Sequence, residues 1–132
     1  MRFYIAGKWG ARERLRVIAE QVRATGHEVT SSWLLPTIGV EAGEWNNLSP
    51  LDAKQSAILD LKDIANSDAL FLDTIDESHT GGREVEYGFA LGLGKIITTI
   101  GPKRNGFHHL CPGFDTWGEL LAALEKGLDG QD

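Results

Sequence analysis

Glu86 is the residue in this chain best placed to do chemistry. It closes the run Thr80-Gly81-Gly82-Arg83-Glu84-Val85-Glu86, just before Tyr87-Gly88-Phe89-Ala90. Upstream, Ala69-Leu70-Phe71-Leu72 reads as a short buried strand ending at Asp73. The order strand, loop, glycine, helix sets a carboxylate at the carboxyl edge of a sheet, where open α/β folds bind ligands. A carboxylate near a helix N-terminus is expected to be held ionised by the backbone dipole, which suits a nucleophile or an anion that grips a hydroxyl. Glu84 lies two residues away, about 200° around the helix axis, and cannot face the same cleft. It is expected to face solvent or to pair with Arg83 or another base. Gly88 and Ala90 are small enough to let the backbone approach the sheet or a ligand closely.

Other residues carry weaker signals. Asp73 and Asp76 fall where the strand ends, a place where carboxylates bind ribose hydroxyls or base amines and where plain loop acids also occur. Gly7-Lys8-Trp9-Gly10-Ala11-Arg12 follows the first strand and opens a helix. Its N–H groups with Lys8 and Arg12 could hold a 5′-phosphate, Trp9 could stack on a base, and a simple strand-to-helix turn is the plainer alternative. Trp33 and Trp45 flank an irregular stretch, where an aromatic either caps a base or closes the core. Gly92-Leu93-Gly94-Lys95 looks like part of a phosphate loop, but it ends a helix and no Ser or Thr follows Lys95, so Gly94 reads as a C-cap. His79, His108, His109 and Cys111 match no standard metal spacing, and the histidine pair reads as incidental surface. No metal and no cofactor is expected.

The elements that must hold these residues follow from periodicity. Strands are expected at 2–6, 28–32, 69–72 and 96–100, with a brief fifth between 107 and 114. Helices are expected at 11–25, 51–66, 82–93 and 116–128. Their apolar stripes are Leu15, Ile18, Ala19 and Val22; Ile58, Leu61, Ile64 and Ala65; and, in the last helix, Trp117, Leu120, Leu121 and Leu124. Strands alternating with helices imply a parallel sheet covered on both faces, and near-continuous apolar strands suit that burial. The chain of 132 residues reads as one domain, 1–132, in the α/β class, with a doubly wound parallel sheet of five strands. A net charge of -6 argues against a nucleic-acid polymer as partner but not against a small nucleoside. One cysteine, no apolar run of membrane-span length and no long apolar leader lead us to expect a cytoplasmic protein with no membrane partner.

The chain resembles the nucleoside 2-deoxyribosyltransferase family. The resemblance rests on Asp60 before the middle strand, on Gly82, Glu86, Gly88, Phe89 and Ala90 after it, on the Leu93-Gly94-Lys95 close, and on Tyr4-Ile5-Ala6-Gly7 in the first strand. It implies a flavodoxin-like, Rossmann-like strand order. It also implies an enzyme that cleaves or transfers the N-glycosidic bond of a nucleoside or deoxynucleoside through a glycosyl-glutamate. By that resemblance Glu86 is the nucleophile, Tyr4 orients it, and Asp60 binds the base and helps protonate the leaving nitrogen. A homo-oligomer with a shared active site is implied too, with Asn105 and Phe107 as candidates for residues donated by a neighbour. The sequence departs from the family at Thr80, near the place where several transferases carry an Asp that contacts the base. The alternatives are a nucleoside 5′-monophosphate N-glycosidase and a non-catalytic nucleotide-binding or sensor module on the same fold.

Overall fold

The computed structural model describes residues 1–35 and 49–127. Trp45, Leu128 and most of the irregular stretch expected at 36–50 lie outside the described residues. In chain order the elements are β1 (Arg2–Ala6), α1 (Arg12–Ala24), β2 (Glu28–Val29), α2 (Pro50–Ala65), β3 (Ala69–Asp73), α3 (Gly82–Gly92), β4 (Ile96–Ile100), β5 (Gly113–Phe114) and α4 (Trp117–Lys126). Short 3₁₀ turns cover Trp9–Ala11, Ser32–Leu34 and Gly106–Leu110. The five strands form one sheet in the order β2-β1-β3-β4-β5, and all four ladders are parallel. This is the flavodoxin-like order that the family resemblance implies.

The two faces of the sheet are read from its central strands. Phe3 stacks on Phe71 at 4.5 Å between ring centroids, and Phe71 meets the edge of Trp117 on α4. Those side chains, with Asp73, point to the layer of α1 and α4. Tyr4 points the other way, to α2 and α3. β3 is buried at all five positions because helices cover it on both sides, which is why its sequence is apolar almost without a break.

The helices begin where local chemistry lets them. Ser49 caps α2 by accepting from the Asp52 amide, with Pro50 next to it in the first turn. Thr116 and Glu119 close a capping box on α4. Gly81 precedes α3 at φ 81°, a left-handed conformation that favours glycine.

Two elements differ from expectation. β2 stops after Val29 because the Ser31 hydroxyl, not a strand carbonyl, accepts from the Ile5 amide at 2.7 Å, and the chain then turns into the 3₁₀ segment. In α2 only Ile64 of the expected stripe is buried, while Ile58 stays 43% exposed. The helix turns toward the protein the edge that carries Asp60, Asp63 and Ile64, so a partly polar edge meets the sheet.

Gly7 shows how tightly α1 packs on the strand ends. A Cβ there would lie 2.6 Å from Leu15 Cδ1 and 3.4 Å from Asp73 Cβ. Leu15 is fully buried and has little room to retreat. Gly7→Ala is expected to cost about 1–3 kcal/mol through overpacking. A urea unfolding midpoint unchanged from the parent would refute that reading.

Candidate active site

Three side chains meet on the α2/α3 side of the sheet. Tyr4 comes from β1 and is fully buried. Its hydroxyl donates to Glu86 Oε2 at 2.9 Å. Glu86 stands in the second turn of α3, and Asp60 faces it from α2 closely enough for their carboxyls to share a hydrogen bond. Asp63, one turn after Asp60, adds its negative charge to the group and accepts the Ser32 amide at 2.9 Å.

The electrostatics follow from crowding acids in a half-buried place. Burial and the neighbouring Asp60 push the Glu86 carboxyl up to about 8, against the smaller pull of the Tyr4 hydroxyl. Burial, with Asp63 adding to it, pushes Asp60 up to about 7, although its hydrogen bond with Glu86 works the other way. Burial and the same acids raise the Tyr4 phenol well above its ordinary value, so it remains a donor. Two facing carboxyls with raised affinities hold one proton between them near neutrality. The expectation that the helix dipole keeps Glu86 ionised is therefore corrected. Glu86 lies beyond the first turn, where the dipole acts, and desolvation next to Asp60 dominates.

The remaining candidates separate into different places. Asp73 is corrected as a ligand-binding residue. It is fully buried on the opposite face of the sheet, where Arg14 bonds both its oxygens at 2.9 and 3.1 Å and Trp117 Nε1 donates to Oδ2 at 2.6 Å. Asp76 takes a further bond from Arg14 at 3.0 Å.

Arg12 is also corrected as a phosphate ligand. It is buried, and Nε and Nη2 donate to the carbonyls of Trp33 and Leu35 at 2.7 and 3.1 Å. Its guanidinium sits over the Trp9 ring, and Trp9 packs against Trp33. Trp33 is buried with Nε1 donating to the Ile5 carbonyl, so it closes the core and does not present a face for stacking. Lys8 is exposed beside this cluster. Gly7 serves packing, as shown above.

On α3, Gly82 and Gly88 are exposed, and a Cβ at either would meet nothing within 4 Å. Gly88 therefore does not serve close approach to the sheet; Ala90 is the buried small residue. Glu84 points away from Glu86 and pairs with His108 Nε2 at 2.8 Å and Asn105 Nδ2 at 2.9 Å. Asn105 is thus engaged within its own chain, and its Oδ1 also accepts the His108 amide. His108 is not the surface residue expected from the sequence. It is fully buried, with Nδ1 accepting the Arg104 amide, which places the proton of a neutral ring on Nε2 facing Glu84. Sequence reasoning also missed Asp63, although its spacing of three from Asp60 puts both on one helix edge.

This arrangement defines an open α/β protein with a facing carboxyl pair, one member of which accepts a tyrosine hydroxyl. No family model matches the chain, and a search of curated proteins by sequence found no match. Solved structures do match. A 2-deoxyribosyltransferase from the psychrotolerant Bacillus psychrosaccharolyticus, described as a biocatalyst for nucleoside synthesis, shares 26% identity at a TM-score of 0.70, over 94% of this chain and 96% of that one. A CMP N-glycosidase from Clostridium botulinum shares 18% at TM-score 0.59, over 95% and 98%. A conserved protein from Enterococcus faecalis shares 14% at TM-score 0.68, over 96% and 98%. In fold the chain is similar to that 2-deoxyribosyltransferase over nearly its whole length. Among the described residues, no helix is long and apolar enough to cross a membrane.

Proposed function

We propose that this protein is an enzyme that breaks the N-glycosidic bond of a deoxynucleoside and passes the sugar to another base or to water. The observation that carries the reading is the Tyr4 hydroxyl bound to Glu86 with Asp60 alongside. Its support from outside the chain is the 26% identical 2-deoxyribosyltransferase of the same fold. In a retaining mechanism one carboxylate attacks the anomeric carbon and a second group delivers a proton to the leaving group. The proton shared by Asp60 and Glu86 fits this division. Moving it to Asp60 frees Glu86 to attack C1′ while Asp60 protonates the departing base nitrogen, and Tyr4 steadies the Glu86 anion. The bond to the base breaks, its electron pair leaves with the base, and the sugar is held on Glu86 until an acceptor base or water displaces it.

The first-strand loop bears on the choice between nucleoside and 5′-monophosphate. With Arg12 buried against carbonyls, only Lys8 of the two expected cations is exposed there. A deoxynucleoside is therefore expected to turn over at least as fast as its 5′-monophosphate. Incubation with a panel of both, with and without a free acceptor base, is the check. No base release from any member of the panel would refute the enzymatic reading and leave a binding module. A large advantage for monophosphates would move the assignment to a nucleotide glycosidase. We also propose that a second copy helps to close the site. The exposed Phe107 and Leu110 are apolar surface that such a neighbour would cover.

A further inference from the structure

A second cleft lies on the other side of α3 from Tyr4 and Glu86. It occupies about 430 Å³ between the connection after β3, the first turn of α3 and the connection after β4. Three cations line it: Arg83, Lys103 and Arg104. Their short hydrogen bonds go to uncharged acceptors, and the carboxylates near them stand farther off. Arg83 Nη1 donates to the carbonyls of Asp73 and Asp76 at 3.2 and 2.7 Å. Arg104 donates to the carbonyls of Thr74 and Ile75 at 2.7 and 2.8 Å. Lys103 Nζ donates to the Thr99 hydroxyl and the Cys111 carbonyl at 2.8 and 2.7 Å. Carbonyls and hydroxyls fix where the cations stand, but they leave the positive charge uncancelled.

Two acids share the cleft and offset its positive charge in part, each as one long ion pair. Glu84 directs its oxygens to His108 and Asn105, with Arg83 Nε 3.6 Å away. Glu77 is 74% exposed and reaches Arg104 only at 3.8 Å. Arg83 is the telling residue. Its side chain is 3% exposed, yet Nε reaches only Glu84 Oε2, at 3.6 Å, too far for a good hydrogen bond. A buried guanidinium with an unused donor is costly unless something completes it. Burial, and next the nearby charge of Arg104, weaken the hold of Arg83 on its proton. In a chain of net charge -6, gathering three of thirteen lysines and arginines into one hollow runs against the general field of the protein.

We propose that this cleft is a second binding site, built for a phosphoryl dianion that bridges Arg83, Lys103 and Arg104. Guanidinium forks match the geometry of phosphate oxygens, and a dianion offsets the excess positive charge that a carbonyl acceptor cannot. The first turn of α3, which forms one wall, favours negative charge as well. Glu84 and Glu86 lie about 200° apart around that helix, so a ligand here is separate from the carboxyl pair and does not depend on the reaction proposed above. The cleft is roomier than free phosphate needs, so the phosphoryl group comes either as inorganic phosphate or as the ester of a small sugar.

The test is calorimetric titration of the intact protein at constant ionic strength with inorganic phosphate, with ribose 5-phosphate and with ribose as the uncharged control. Saturable binding of either phosphate below about 10 mM, with none for ribose, is expected. Tighter binding of the ester identifies a sugar phosphate as the occupant, and equal or weaker binding identifies free phosphate. Arg104→Gln is expected to weaken binding roughly fivefold or more, and Glu77→Gln to tighten it, because the first removes a charge-assisted bond and the second a competing negative charge. Arg23→Gln, an equal loss of charge on α1, is expected to leave it unchanged. Glu77 is exposed, so its variant keeps the test alive if Arg104→Gln fails to fold. Absence of saturable binding, or equal weakening by Arg23→Gln, would overturn the site.

Discussion

Glu86→Gln is expected to abolish glycosidic cleavage and, at the same time, to make the protein harder to unfold above neutral pH. The loss of activity should exceed about a thousandfold if Glu86 is the nucleophile, because the amide cannot form the glycosyl ester. The gain in stability follows from linkage. The folded protein holds the Glu86 proton up to about pH 8, whereas the unfolded chain releases it near its ordinary value of 4.5. Between those values the folded state binds more protons than the unfolded state, so stability falls as pH rises through that window. Glutamine carries no such charge, and its oxygen can still accept the Tyr4 hydroxyl. At pH 8.5 the variant is expected to melt roughly 5 °C or more above the parent. At pH 4, where the parent acid is protonated in both states, the two should nearly coincide. Calorimetric scans at the two pH values, with base release assayed in parallel, decide the matter. Glu84→Gln is the contrasting variant, since its carboxyl is held below its ordinary value by Asn105 and His108 and should show no such gain.

Asp73→Ala is expected to be strongly destabilising. The carboxylate is fully buried and serves Arg14, Trp117 and the Ile75 amide at once. Its removal strands the Trp117 indole donor in the interior and opens a gap beneath β3. A loss of about 3–5 kcal/mol is expected for breaking a buried charge pair from one side. The discount for the partly exposed Arg14 lies toward the lower end of that range. Asp73→Asn, which keeps the shape and one acceptor, should lose less. Urea unfolding of both variants beside the parent is the measurement. A loss below about 1 kcal/mol for the alanine variant would show that the network contributes little, since exposed ion pairs reach only that size.

The order of elements was legible because each strand and each helix carries its own periodicity. Alternation of the two then required parallel pairing, and the strand order came from the family resemblance. Direction across the sheet was less legible. β3 is apolar at nearly every position because both its faces are covered, so no alternation told which layer Asp73 would join. Its parity with Phe71, which touches Trp117, decides it. The early end of β2 depended on one side chain, Ser31, displacing a ladder bond. At the candidate site, the nearness of Tyr4 and Glu86 was foreseeable from the resemblance, but the protonation of the pair was not. That depends on how deeply α2 brings Asp60 and Asp63 against α3, a tertiary distance with no local signature. His108 was misread for a similar reason, because its partner Glu84 lies 24 residues away.

The two outer strands each contain two residues. A strand that short offers a newcomer hardly any backbone donors and acceptors in a row, and the Ser31 hydroxyl already bends one margin away from straight pairing. The sheet is therefore closed to lengthening by addition of further strands, a usual route to runaway polymerisation. Copies of this chain that associate are therefore expected to do so through helical or loop surfaces rather than by sheet extension.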